Sequence, residues 1–209
     1  HRMSGVSLQH FREDGKPDWT LRVTGNSVLV TCHKYTSWAE VWPKARRFLL
    51  AAGQVVSNEA NGVAVLAMQY VDRFETKEAI SEYEITDVFS SASPLLSKQA
   101  LLAGPEWHIN QGWFENPKDF PVPESRLLNV VNITSAIIGS KLQTTIDHAC
   151  QIRLNAPCKF STLLAVSNDV DELGSTLLNN AFKAMHDRNI ALLKESLADA
   201  QLTAIGLPK

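Results

Sequence analysis

The chain has 209 residues, of which 44% are hydrophobic, and its 20 Lys and Arg residues against 22 Asp and Glu residues give a formal net charge of −2. This balance, without any long run of like charges, excludes the electrostatic signature of a protein that binds nucleic acid or a membrane surface. No apolar run reaches the roughly 20 residues of a membrane-spanning helix and no export signal is evident, so we expect a cytoplasmic protein.

The cysteines and the start of the chain add two expectations. Cys32, Cys150 and Cys158 are an odd and sparse set, which predicts reduced thiols rather than a disulfide framework. Residues 1–3 have the pattern of a cloning-vector remnant that precedes an initiator Met. Because no repeat or low-complexity linker divides the rest, we expect a single domain over residues 4–209.

The first predicted elements are a hairpin and a helix. Two short β segments between residues 20 and 35 are separated by a Gly-Asn pair, a pattern typical of a hairpin. Ser37 followed by Glu40 predicts the start of a helix, and Gly53 predicts its end. Pro43 falls inside this helix on its polar side and predicts a bend around the core.

The next predicted element is a central strand. Residues 62–74 are apolar at almost every position up to Gln69, which is the pattern of a strand covered on both faces. We therefore predict that this strand lies in the middle of a sheet. Its pattern turns polar at Tyr70, Asp72 and Arg73, and a polar group at a strand end is a common place for a ligand contact.

Short helices near residues 79–89 and 94–102 are predicted to precede three strands, over residues 106–115, 126–138 and 141–154. A Gly-Ser pair at 139–140 predicts a tight hairpin between the last two strands. Large rings on both faces of the first of these strands indicate either a core strand or a subunit interface, and they belong to Trp107, Trp113 and Phe114.

The longest predicted helix runs from a capping Asp169, with Glu172 three residues later, to about Leu197. Its apolar residues span an arc of roughly 200°, so we expect it to contact a curved sheet or a second subunit on more than one side. The order of elements predicts an α+β fold, in which an antiparallel sheet packs against the mid-chain helix and this long C-terminal helix.

The usual catalytic and nucleotide-binding signatures are missing from the sequence. His148 and Cys150 share one strand face, and Cys158 follows a short distance along the chain. These residue types can bind zinc, but two small buried thiols and a surface histidine are the plainer interpretation. We therefore predict no metal and no cofactor.

Two residues of the last helix are candidates for a site. Arg188 lies near the centre of the apolar arc, where a charge needs a partner, and the candidates are Asp72 and Asp147. Such a pair could anchor a ligand or act as an internal ion pair, and an arginine that extends to the helix edge is a third interpretation. His186, at the margin of the arc, is either a structural histidine or a base that titrates near neutral pH.

Three segments, taken in order, resemble a sporadically distributed and functionally uncharacterised bacterial protein family. They read YTSWAEVWPKARRFLLAA, VLAMQYVDRFE and LLNNAFKAMHDRNIALLKESLADAQLTAIGL. In that family a Tyr precedes an aromatic-rich helix, a strand ends in an Arg-Tyr-Ile-Asn-Arg-like run, and a C-terminal helix carries a Leu-His pair before an Ile-Gly-Leu-like close. This chain departs from the pattern at Gln69, Asp72 and Met185, where the family prefers Arg, Asn and Leu.

The resemblance implies a fold and a bacterial cytosolic setting, but it implies no reaction and no cofactor. It makes Tyr70, Arg73 and His186 the first residues to test. The family's usual N-terminal segment, which carries a Pro-Pro and Glu signature, has no counterpart here, so we expect a shortened member or a trimmed chain.

The sequence favours a non-catalytic binding or protein-interaction module that self-associates as a homodimer, because catalytic signatures are missing and apolar surface is in surplus. A small molecule or another protein is the further partner that we expect. One alternative is an enzyme acting on an anionic small molecule between the central strand and the last helix, with Arg73 and Arg188 as anion anchors and His186 as acid or base. A second alternative is a carrier that holds a small apolar ligand in a cavity between sheet and helix.

Overall fold

The computed structural model describes residues 5–56, 62–76, 80–116, 122, 125–165 and 176–207. The strands are β1 (Val6–Phe11), β2 (Pro17–Val23), β3 (Val28–Cys32), β4 (Val63–Glu75), β5 (Trp107–Glu115), β6 (Ser125–Ile138) and β7 (Lys141–Cys158). The helices are α1 (Trp38–Val56), α2 (Lys98–Leu101), α3 (Phe160–Leu163), α4 (Leu177–Ser196) and α5 (Asp199–Ala204). The strands form two antiparallel sheets, so the predicted α+β class is confirmed.

The chain divides into two compact units. The first lies within residues 1–63 and 157–163, and the second within residues 64–156 and 164–209. The single domain expected from the sequence stays a prediction, and each unit is described by itself below. Among the described residues, no helix is both long enough and apolar enough to cross a membrane.

The first unit contains a three-stranded sheet in the order β1-β2-β3, with α1 beside it. The predicted hairpin is β2 and β3, while β1 has no counterpart among the predicted elements. Trp19 of β2 and Phe48 of α1 meet edge to face, with ring centroids 5.8 Å apart. An aromatic contact between the sheet and α1 therefore holds the helix in place within this unit.

Helix α1 begins as predicted but ends later. The backbone N–H of Glu40 donates to Ser37 Oγ at 3.4 Å, so the capping interaction is present. The predicted end at Gly53 is wrong, because the helix continues to Val56. Gly53 is a buried residue within the helix and lies against the ring of Phe160. Pro43 lies within the helix and is exposed, as its place on the polar side predicts.

The second unit contains a four-stranded sheet in the order β4-β7-β6-β5. The three strands predicted from residue 106 onward are confirmed, and so is the tight turn between β6 and β7. Gly139 in that turn has a φ of 65°, in the left-handed region that glycine adopts without strain. In place of the first predicted short helix there are two 3₁₀ turns, Ile80–Glu82 and Ile85–Asp87, and α2 lies within the range of the second.

The predicted central position of β4 is wrong, because β4 is an edge strand among the described strands. Its inner residues, such as Leu66 and Phe74, are buried, whereas Val65 and Val71 on the other face are 45% and 48% exposed. The apolar pattern of one strand reports how many faces are hydrophobic. It does not report which other strands form hydrogen bonds with it.

Helix α4 begins at Leu177, with Thr176 as the capping residue, because the Thr176 hydroxyl accepts from the backbone N–H of Asn179 at 3.2 Å. The predicted caps Asp169 and Glu172 lie outside the described residues. Buried side chains of the four-stranded sheet, of the segment from Ile85 to Ala100, and of α4 and α5 form one core. Fully buried members include Phe89, Val131, Ile133, Ile146, Leu197 and Leu202.

Candidate functional site

The inner face of the four-stranded sheet, the face that packs against α4, carries polar groups among its apolar residues. Successive strand residues point to opposite faces, so His148 and Cys150 of β7 point inward together. On β6, Asn129 lies directly opposite Cys150 in the antiparallel register. Asn189 comes to the same place from α4. These four residues, all at most 2% exposed, form the buried polar cluster.

Short contacts link the buried polar cluster. His148 Nδ1 lies 2.8 Å from Asn189 Oδ1, and His148 Nε2 lies 3.2 Å from both Asn129 Oδ1 and Cys150 Sγ. Desolvation by burial lowers the pKa of His148, which favours a neutral imidazole with one N–H. Since Asn189 Oδ1 can only accept, the proton belongs on Nδ1, and Nε2 is then the acceptor.

The neutral imidazole also constrains the amide of Asn129. An Oδ1 atom cannot donate to an accepting Nε2, and Asn129 Nδ2 is buried without a partner within the described ranges. A rotation of the amide by about 180° gives Nδ2 this contact and removes the unsatisfied donor. The Cys150 thiol, 3.2 Å from the same nitrogen, is the alternative donor to its single lone pair. The cluster then holds β6, β7 and α4 together through neutral hydrogen bonds.

The contacts of Cys150, His148 and Asn189 follow the order of a nucleophile, its base and a residue that orients the base. A working nucleophile of this kind needs a thiolate and access to a substrate. Burial here raises the pKa of Cys150 to about 12, and the thiol is 2% exposed. The arrangement therefore supplies packing and hydrogen bonds, and it does not activate the sulfur.

The zinc interpretation of these residues gains no support. Within the described part of the chain, no group of three or more His, Cys, Asp or Glu side chains is placed to hold a metal ion.

Two of the predicted site residues are brought together. The hydroxyl of Tyr70 on β4 lies 2.8 Å from Nδ1 of His186 on α4, and their ring centroids are 5.9 Å apart. Desolvation by burial lowers the pKa of His186, and the nearby Asp187 opposes this effect in part. The Tyr70–His186 pair is partly buried on the inner face of β4. The pair retains some access to solvent.

Asp72 and Arg73 are separated by the alternation of β4. Asp72 points inward, its Oδ2 is buried without a hydrogen-bond partner among the described residues, and desolvation raises its pKa. Arg73 is exposed on the outer face, the side of the sheet away from α4. Arg73 therefore does not share a site with Tyr70, Asp72 and His186.

Arg188 pairs with a residue that the sequence reasoning did not consider. Its Nε and Nη2 donate to Glu115 Oε1 at 3.1 and 2.8 Å, and Trp113 Nε1 donates to the same oxygen at 2.7 Å. The predicted partners Asp72 and Asp147 are wrong, since Asp147 accepts from Gln69 on the outer face. Glu115 ends β5 on the inner face, so strand alternation places it beneath the arginine. The geometry is that of an internal ion pair.

Asn129 and Asn189 were not predicted from the sequence, although the pattern around each of them carries a signal. Asn129 alternates with the buried Leu127, Val131 and Ile133 of β6, and Asn189 continues the inward spacing of α4. A polar residue at a core position of a regular pattern predicts a buried hydrogen-bond partner. The three aromatic residues of β5 lie on different faces of the sheet. Trp107 and Trp113 lie on the inner face, whereas Phe114 is exposed on the outer face.

The best-defined cavities are open surface depressions. One of about 320 Å³ in the second unit is lined by Thr86, Phe89, Ser90, Ser91, Ala198 and Asp199. Another of about 190 Å³ in the first unit is lined by Gly5, Val6, Ser7, Arg22 and Thr24. Neither contains a residue of the buried polar cluster or of the Tyr70–His186 pair.

Comparison of the chain with protein-family models, with curated proteins and with solved structures finds no match. The resemblance to the bacterial family therefore stays a prediction.

Proposed function

We propose that this protein is a non-catalytic interaction module that self-associates through an exposed strand edge. The observation that carries the proposal is where the exposed large apolar side chains of the strands lie. Apart from two isoleucines beside the β6–β7 turn, they all belong to edge strands: Val6, Leu8 and Phe11 of β1, Leu29 of β3, Val65 and Val71 of β4, and Phe114 of β5.

An edge strand presents unpaired backbone N–H and C=O groups, and proteins that stay monomeric commonly protect such edges with charges, prolines or bulges. Apolar side chains beside an unprotected edge favour the addition of another strand, because hydrogen bonding and apolar burial then reinforce each other. A single added strand buries less area than the roughly 1,600 Å² of a standard interface, so we expect association that depends on concentration.

The two alternatives receive less support from the geometry. An anion-binding enzyme needs Arg73 and Arg188 in one pocket, but Arg73 is on the outer face and Arg188 is neutralised by Glu115. A carrier of an apolar ligand needs an enclosed cavity between sheet and helix, whereas the two depressions described above are open and lie elsewhere.

Sedimentation velocity and light scattering over a wide range of protein concentration test the proposal. We expect the weight-average mass to rise above that of one chain as the concentration rises. A mass that stays at one chain throughout the range contradicts self-association. Addition of salt should have little effect, because the exposed edges are apolar rather than charged.

A further inference from the structure

We infer that the surface used is the edge of β4 that pairs with no described strand, and that the partner is β4 of a second copy, paired antiparallel. This inference rests on the proposed function and deepens it by naming the contact. The four-stranded sheets of the two copies then join, and β4 becomes an inner strand of a continuous sheet.

β4 fits this role because it carries apolar side chains on both of its faces. From Val63 to Val71 it carries no charged residue, and at about 3.3 Å per residue this stretch is roughly 30 Å long. Leu66 and Met68 point inward, while Val65 and Ala67 point outward. A pairing strand must therefore be apolar on both sides, and β4 itself meets this requirement.

The other edge strands are shorter or better protected. β1 has six residues, and its register shifts between His10 and Phe11, which is the kind of irregularity that bends an edge away from pairing. β3 has five residues. β5 contains Gly112 and ends at Glu115, which is held by Arg188. By the length of its uncharged stretch, β4 is the edge most open to a second strand.

Symmetry restricts the register. A two-fold axis perpendicular to the joined sheet keeps the outer faces of both copies on one side, so each residue lies opposite a residue of the same strand face. An axis at Met68 places Val65 opposite Val71 of the second copy, and these are the two outward valines that are nearly half exposed. Asp72 and Arg73 then lie opposite Ala64 and Val63 of the second copy, so no like charges meet.

The test uses charge substitutions on the outer face of β4. Val65→Lys and Val71→Glu each place a charge opposite a valine of the second copy, and we expect each to weaken association by at least about tenfold. Both side chains reach solvent in a single copy, so circular dichroism and a cooperative unfolding transition should be unchanged. Leu8→Lys on β1, where Leu8 is 60% exposed, is the matched control and should leave association intact.

The double variant Val65→Lys/Val71→Glu tests the register. In the proposed pairing each introduced ammonium faces an introduced carboxylate of the other copy, so association should recover much of the loss. Loss without recovery overturns the Met68 register. Unchanged association in both single β4 variants, with loss in Leu8→Lys, overturns the assignment to β4 and leaves self-association standing. A wild-type chain that never associates removes the proposed function itself.

Discussion

Asn129 and Asn189 occupy core positions although their side chains are polar, and His148 and Cys150 complete the hydrogen bonds that make their burial tolerable. At this scale the sequence predicts individual side chains unevenly. Strand alternation places His148 and Cys150 together correctly. It cannot identify Glu115 as the partner of Arg188, since that contact joins residues 73 positions apart.

The buried Oδ2 of Asp72, which has no hydrogen-bond partner in the described part of the chain, gives a prediction. Burial raises its pKa above 3.8, so the folded chain binds this proton more readily than the unfolded chain, and the ionised form opposes folding at neutral pH. We expect Asp72→Asn to increase the free energy of unfolding at pH 7 by about 1 kcal/mol. Urea unfolding measures the gain, which should shrink as the pH falls toward 3.8. An equal gain at both pH values would show that the charge is not its cause.

The Arg188–Glu115 pair gives a second prediction. Glu115→Gln removes the nearer counter-charge of a partly buried guanidinium and leaves it the Glu195 carboxylate at 3.8 Å. We expect a loss of about 1–2 kcal/mol, less than for a fully buried pair because both side chains of the Arg188–Glu115 pair keep some exposure. Arg188→Met in the same chain should recover part of this loss. A double-mutant cycle by chemical unfolding measures the coupling, and additive effects would contradict a direct interaction.

Elements with strong local signals were predicted well. Ser37 and Glu40 mark the start of α1, and the Gly139 turn marks the hairpin of β6 and β7, because caps and tight turns depend on a few neighbouring residues. The end of α1 and the position of β4 were not predicted. Both depend on contacts with distant residues, namely Phe160 for the helix and the pairing order for the strand.

Gly53 in α1 provides a prediction for an element. Alanine generally favours a helix over glycine by about 1 kcal/mol. A Cβ at position 53, however, would lie under 3.0 Å from three ring carbons of Phe160. We expect Gly53→Ala to lower the free energy of unfolding by about 1–3 kcal/mol despite the gain in helix propensity. Thermal unfolding measures this loss, and Phe160→Leu in the same chain should relieve it. A stabilised Gly53→Ala variant would contradict the close contact.

For the whole molecule, the α+β class follows from the order of the elements, but the number of sheets does not. Local patterns identify strands, whereas pairing over long distances distributes them between a three-stranded and a four-stranded sheet. No local pattern predicts the contact between Tyr70 and His186, because they lie 116 positions apart. The family resemblance singled out both residues for testing but did not predict a contact between them.

The stability of the whole fold should depend on pH through its buried histidines. Burial lowers the pKa of His148 and His186 below 6.5, so the unfolded chain binds protons at a higher pH than the folded chain. Stability is then full above pH 6.5 and falls as the pH drops below it, by up to about 1.4 kcal/mol per pH unit for His148. Arg188 near His148 strengthens the effect, and Glu115 and Asp147 oppose it.

Urea unfolding between pH 7.5 and pH 5 measures this dependence, with each value compared at about the same ionic strength. His148→Gln keeps a polar group at the position but cannot titrate, so its unfolding free energy should change less steeply with pH. A variant with the same slope as the wild type would show that other groups dominate.

The enclosure of Cys150 has a practical consequence. A reagent such as iodoacetamide cannot reach this sulfur until the sheet and helix around it separate, and a pKa of about 12 keeps it protonated until then. The rate of alkylation at Cys150 therefore reports how often this region opens. Cys32 and Cys158 are both partly exposed and can react in the closed molecule. Peptide mass spectrometry that compares the three sites can thus follow local unfolding without any introduced label.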